Sequence, residues 1–223
     1  MTDRPIIFSG PMVKALIDGR KTQTRRIIKP QPMADGYYHG DLRMERVHHP
    51  DGADPDCYAR FSADAVGGGA VVEKTIKMPY VIGDRLWVRE AHRCNGWATD
   101  LATVFYRASE GDGYTAMCEQ WPIADHKPLP VSMQWRPSIH MPRWASRLTL
   151  IVTDVRVQRL QDINEDDARA EGAKPWTGAY QSYATDFAAI WRAINGPDAW
   201  SANPWVVAII FDVHRGNIDE ATT

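Results

Sequence analysis

Three cysteines in 223 residues, Cys57, Cys94 and Cys118, are too few and too scattered to hold a chain together. They form no CxxC pair and no Cys/His spacing of a zinc site. A disulfide scaffold and a zinc module are therefore excluded, and reduced thiols are expected. Adjacent His48 and His49 sit in a Pro/Asp/Gly-rich stretch that reads as a solvated loop rather than a metal site. No apolar run approaches the roughly 20 residues that a membrane helix needs. The opening "MTDRPIIFSG" has neither the apolar core nor the cleavage site of a signal peptide. A cytoplasmic protein with no membrane partner is expected, and no residue pattern implies a metal or organic cofactor. An excess of one charge is lacking as well: 26 Lys and Arg face 28 Asp and Glu, a formal net charge of -2. That balance excludes a protein that is basic all over. No internal repeat is present.

What is present is a 44% hydrophobic chain long enough to bury a sizeable core. Its charge is unevenly placed. Residues 1–30 carry Arg4, Lys14, Arg20, Lys21, Arg25, Arg26 and Lys29 against Asp3 and Asp18. Residues 136–159 carry Arg136, Arg143, Arg147, Arg156 and Arg159 against Asp154 alone. Two local basic regions in a nearly neutral chain suit a face for a polyanion or a phosphorylated group. They equally suit a solvated surface of mixed charge, and both readings stand at this point.

"RPIIF" reads as an opening strand. Ser9 and Pro11 suit the start of a helix in which Val13, Leu16 and Ile17 recur at helical spacing. Gly19 stops that helix, and an extended "TQTRRIIK" follows. Residues 31–79 and 109–135 are rich in turn formers and read as loop-rich insertions, the first as hairpins and loops rather than core. After the Gly83-Asp84 turn, "RLWVRE" has the period of a strand. Leu86, Val88 and Glu90 fall on one face, Trp87 and Arg89 on the other. A glutamate ending an inward apolar face is costly to bury without a partner. "ATVFYRA" reads as a strand, Pro142 to Ser146 as a short helix, and Leu148 to Val157 as one long strand or a bent pair. Asn164 caps a short helix that Gly172 ends. A longer helix presents Phe187, Ile190, Trp191 and Ile194 as a core stripe. "NPWVVAIIFDVHR" is a final buried strand, and residues 216–223 are expected to fray. Strands dominate, so a mainly β (α+β) single domain over 1–215, a small, partly closed β-barrel with short helices, fits better than an alternating parallel α/β fold.

"GRKTQTRR" matches a GxKxxTxR signature through Gly19, Lys21, Thr24 and Arg26. "GDRLWVREAH" and "NPWVVAIIFDV" add two strand motifs. Together they resemble the ASCH domains, whose barrel is related to the PUA fold. "RPIIFSGPMVKALIDGRKTQTRRIIKPQP" and "RPSIHMPRWASRLTLIVTDVRVQRLQDI" are similar to ASCH-type proteins of phages and prophages. The resemblance covers most of the chain outside 31–79 and 109–130. It implies a PUA-like barrel and three kinds of activity. Some family members are amidohydrolases of N4-acetylcytidine that use a lysine, a threonine and a glutamate, at positions matched here by Lys21, Thr24 and Glu90. Others resemble RNA-binding modules, and some act as ribonucleases. A nucleoside or RNA is thus the expected partner, with DNA as an alternative.

The chemistry of those residue types is consistent with that implication. A threonine hydroxyl needs a neighbouring base to attack. A lysine serves as that base only when burial or nearby cations such as Arg20, Arg25 and Arg26 favour its neutral form. Glu90 either delivers a proton to the leaving amine or forms an ion pair with Lys21 or Arg26. Arg20, Arg25, Arg26, Arg89 and Arg143 are candidate phosphate or base contacts. Trp87 is a candidate for stacking on a base, with core packing as its other reading. His140, in the turn "SIHMPRW", is a candidate hydrogen-bond donor or acid/base group. A ribonuclease reading gives Lys21 the phosphorane charge and His140 a helping role.

Overall fold

The computed structural model describes residues 2–32, 38–47, 58–65, 71–98, 100–113, 117–122, 129–174 and 182–220. His48, His49 and Cys57 lie outside them. The described chain is mostly β, with a few short helices. Its contacts divide it into two compact units, each assembled from separated segments: residues 1–22, 83–151 and 212–223, and residues 23–82 and 152–211. Among the described residues no helix is long and apolar enough to cross a membrane.

In the first unit β1 (Asp3–Ile7) runs parallel to β6 (Arg85–Arg89). β6 in turn pairs antiparallel with the opening residues of β10 (Leu148–Arg159), Trp87 standing opposite Thr149. The turn before β6 is built as its sequence demands. Gly83 adopts φ 87°, and the buried Asp84 accepts from the Thr2 N–H at 3.0 Å while pairing with Arg4. One carboxylate thus fastens the start of the chain to the strand that carries Glu90. Leu86, Val88 and Glu90 are buried on one face, whereas Trp87 and Arg89 are half-buried on the other. A second sheet joins β7 (His92–Trp97), β8 (Leu101–Tyr106) and β9 (Cys118–Pro122) in antiparallel order. Cys94, Ala102, Val104, Tyr106, Trp121, Met141 and Ala145 form its core. β9 shows that the 109–135 segment is not all loop.

The helix α1 (Gly10–Ile17) buries Val13, Ala15 and Leu16. Its end is set by Gly19 at φ 70°. There the Gly19 N–H donates to the Leu16 carbonyl and the Arg20 N–H to that of Ala15. These paired bonds satisfy carbonyls that a helix end leaves open. The tail departs from expectation. Ile218 is fully buried, and the Asn217 amide donates to the carbonyls of Arg143, Trp144 and Ser146, so this stretch docks rather than frays. A side chain able to cap three carbonyls outweighs the polar look of "GNIDE".

In the second unit β2 (Gln23–Ile27) pairs antiparallel with β11 (Trp205–Arg215). The described part of 31–79 is an antiparallel meander of β3 (Tyr38–Val47), β4 (Tyr58–Ala65) and β5 (Val71–Lys77), with Phe61 buried edge-on to Trp205. Core therefore reaches into a segment whose Gly and Asp content reads as loop. The helices α2 (Glu165–Ala170) and α3 (Tyr183–Asn195) pack Ala168, Phe187 and Trp191 against Leu160 and Val206. Asn164 caps α2 by accepting from the Asp167 N–H. Ile194 is 61% exposed, so the apolar stripe of α3 ends at Trp191, one turn earlier than its periodicity suggests.

Candidate functional site

Lys21 follows directly from the end of α1. Its own N–H donates to the Ala15 carbonyl at 3.1 Å, which fixes the backbone leaving the helix. The side chain is only 2% exposed, and its Nζ lies 5.6 Å from the centre of the Phe8 ring. Lysine is almost never this buried unless it is paired.

Glu90 belongs to the same unit and is 1% exposed. Its carboxylate is gripped by Arg147, Nε to Oε1 at 2.8 Å and Nη2 to Oε2 at 3.1 Å. The ion pair that the sequence offered Glu90 through Lys21 or Arg26 thus has Arg147 as a partner. Arg147 Nη2 also donates to Ser109 Oγ at 3.0 Å, and its guanidinium lies 4.1 Å from the Tyr106 ring. Burial pushes the Glu90 carboxyl above its usual range, and Arg147 takes back part of that rise. Beneath the pair, Tyr106 donates to the Ala145 carbonyl and accepts from Trp121 Nε1. The Glu90 N–H points at Met141 Sδ, and its carbonyl meets Nδ1 of the fully buried His92. Burial pushes the His92 ring down to about 4, so the imidazole is neutral at physiological pH.

Beside Arg147 lies a cavity of about 300 Å³, lined by Lys14, Ser109, Glu119, Arg147, Arg215 and neighbouring residues of the same unit. Burial raises the half-buried Glu119 carboxyl, with Arg147 opposing. Among the described residues, no three His, Cys, Asp or Glu side chains gather as a metal site would require.

The remaining sequence candidates separate. Thr24 is 5% exposed in β2 and stands opposite Ile209, in the second unit. Arg25 is buried there too, paired with Asp167 at 2.9 Å and Glu171 at 3.2 Å, bonded to Gln23, and set 5.8 Å from the Phe187 ring. Its guanidinium thus joins β2 to Asp167 of α2 and to Glu171 just past that helix. Arg26, half-buried, follows it on β2. Arg20 pairs with Asp18 at the surface. Arg143 is held by Asp219 and Asp3, each at 2.5 Å, which raises its already high affinity for the proton. Arg89 donates to the carbonyls of Ile139 and Met141 and lies 5.1 Å from the ring centre of Trp87. His140 is exposed.

No family model matches the chain, and no curated protein or solved structure matches it. The site therefore has to be read from its own residues. Sequence reasoning missed Arg147, Ser109, Glu119 and His92 as members of it. Arg147 alone carried a signal, as a charged residue opening the apolar strand "LTLIV".

Proposed function

We propose that this protein is an ASCH-type, PUA-like barrel that acts in the cytoplasm on a nucleoside or RNA nucleotide. We further propose that it hydrolyses the amide of an N4-acylated cytidine such as N4-acetylcytidine. The observation that supports this most is the deep burial of Lys21 and Glu90, at the positions the resemblance marks as catalytic. A lysine serves as a general base through its neutral amine, the form able to accept a proton. A carboxyl raised by burial is suited to hold a proton and pass it on.

In this mechanism Lys21 takes a proton from water as the water oxygen attacks the acyl carbonyl. The C–N bond then breaks as that proton is passed by way of Glu90 to the departing N4 amine, releasing cytidine and the carboxylic acid. The bidentate Arg147 grip orients the Glu90 carboxyl for that transfer. Purified full-length protein is expected to convert N4-acetylcytidine to cytidine and acetate. Lys21→Met should lower the rate by roughly 100-fold or more with the fold retained. No cytidine from the wild-type protein would sink the reading.

A non-catalytic RNA- or DNA-binding role is a second reading. It is favoured by the cation–aromatic pairs Arg89–Trp87 and Arg93–Trp135. It loses support because Arg25 and Arg143 are spent on carboxylates. Binding that weakens steeply with salt, without turnover, would select it.

A further inference from the structure

The cavity beside Arg147 holds charges that the proposed deacylation does not use. Two of its three cations are neutralised in place: Lys14 by Asp112 at 2.6 Å, and Arg147 by Glu90. Arg215 is different. It donates Nη2 to the Ile17 carbonyl at 3.1 Å and makes no ion pair among the described residues. Glu119 is its counterpart, a half-buried carboxylate lining the same cavity that feels the charges of Arg147 and Arg215 but makes no hydrogen bond or ion pair among the described residues. Ser109 is 3% exposed and accepts from Arg147, which leaves its own hydroxyl proton to donate. Ile17 and Leu148 supply apolar surface, and the Gly216 backbone closes the lining. A guanidinium and a carboxylate that line one cavity without pairing leave a gap that a ligand with both complementary charges would fill.

We propose that this cavity binds a small zwitterion. Its ammonium pairs with Glu119, its carboxylate pairs with Arg215, and the Ser109 hydroxyl donates to the same carboxylate. A volume of about 300 Å³ admits a free amino acid and its side chain and excludes a folded peptide or an oligonucleotide. The cavity adjoins the Glu90–Arg147 pair, but binding of a free amino acid is read without turnover, so failure of this proposal and failure of the deacylation reading are distinguishable.

The test is a thermal-shift and calorimetric screen of the full chain against the free amino acids at about 10 mM. For each hit, two controls follow: the N-acetyl amino acid, which lacks the ammonium, and the corresponding primary amine, which lacks the carboxylate. At least one amino acid is expected to bind with a dissociation constant of roughly millimolar or tighter. Both controls should bind at least about tenfold more weakly, as should the hit itself to Glu119→Gln and to Arg215→Gln. The two side chains are half-buried and exposed respectively, so both variants should fold, and their melting curves check this. Absence of any amino-acid hit would overturn the proposal. So would a hit whose N-acetyl form binds equally well, or one that survives both substitutions.

Discussion

Each unit of this protein buries an arginine against acidic partners, and the two arrangements differ in what is left over. In the second unit Arg25 meets Gln23, Asp167 and Glu171, and its side chain is fully buried. Its cluster is closed on the acidic side: Asp167 of α2 and Glu171 just past its end meet one guanidinium, whose Nε makes no hydrogen bond among the described residues. In the first unit Arg147 meets Glu90 and Ser109, lies against Tyr106, and lines a cavity. Its cluster opens onto that cavity. A closed cluster is what a structural ion pair looks like, and an open one offers polar groups to a ligand. The contrast also separates two residues of the sequence reading: Arg25, a candidate for gripping phosphate, is buried among carboxylates, and Arg147, one charge among many, lines the cavity.

The largest expected effect breaks the closed cluster. Arg25→Met strands Asp167 and Glu171 without their cation and should cost about 3–5 kcal/mol in urea unfolding. A loss below about 1 kcal/mol would mean the cluster is not structural.

Acid sensitivity should come from the open side. The His92 ring is held neutral down to about 4, while an unfolded histidine titrates near 6.5. As pH falls below 6.5 the unfolded chain takes up the proton first, so stability declines, and the decline from this group ends below about 4. One pKa unit is worth about 1.4 kcal/mol, which makes the total about 3 kcal/mol. Unfolding curves measured across that window should flatten in His92→Gln. An unchanged slope in the variant would assign the acid sensitivity elsewhere.

Tyr106→Phe is a smaller cut beneath Arg147. It leaves the Ala145 carbonyl and Trp121 Nε1 without their partner in a dry core, at a cost of about 1–3 kcal/mol by thermal melting. The smallest effect should come from Arg143→Ala. Its ion pairs with Asp3 and Asp219 are partly solvated, and Asp219 is 56% exposed, so less than about 1 kcal/mol is expected. A large effect there would bring the surface pairs level with the buried clusters.

Much of the frame was legible because it is local. The alternation of Leu86, Val88 and Glu90 announced a strand with a glutamate on its buried face, and Gly19 announced the end of α1. Asn164 marked its own cap. What was not legible depends on pairing across the chain. Nothing near Glu90 in sequence points to Arg147, 57 positions on, and nothing near Arg25 points to Asp167. The docked tail was missed because Asn217 looks like a turn residue until three carbonyls face it. Phe61 was missed because its same-face neighbours Ala59 and Ala63 are small and make a weak apolar alternation. The Lys21–Thr24–Glu90 assignment came from motif resemblance rather than from spacing, and spacing alone left Lys21 as one more cation.

Glu90 with Arg147 in the first unit is proposed to work on a ligand, whereas Arg25 with Asp167 and Glu171 in the second holds the fold. The most direct measurement is turnover of N4-acetylcytidine per folded molecule in two variants, Glu90→Gln and Glu171→Gln. The account predicts a loss of roughly 100-fold or more for Glu90→Gln and near wild-type turnover for Glu171→Gln, the latter with a lowered melting temperature. Equal turnover in the two variants, or full turnover in Glu90→Gln, would contradict it.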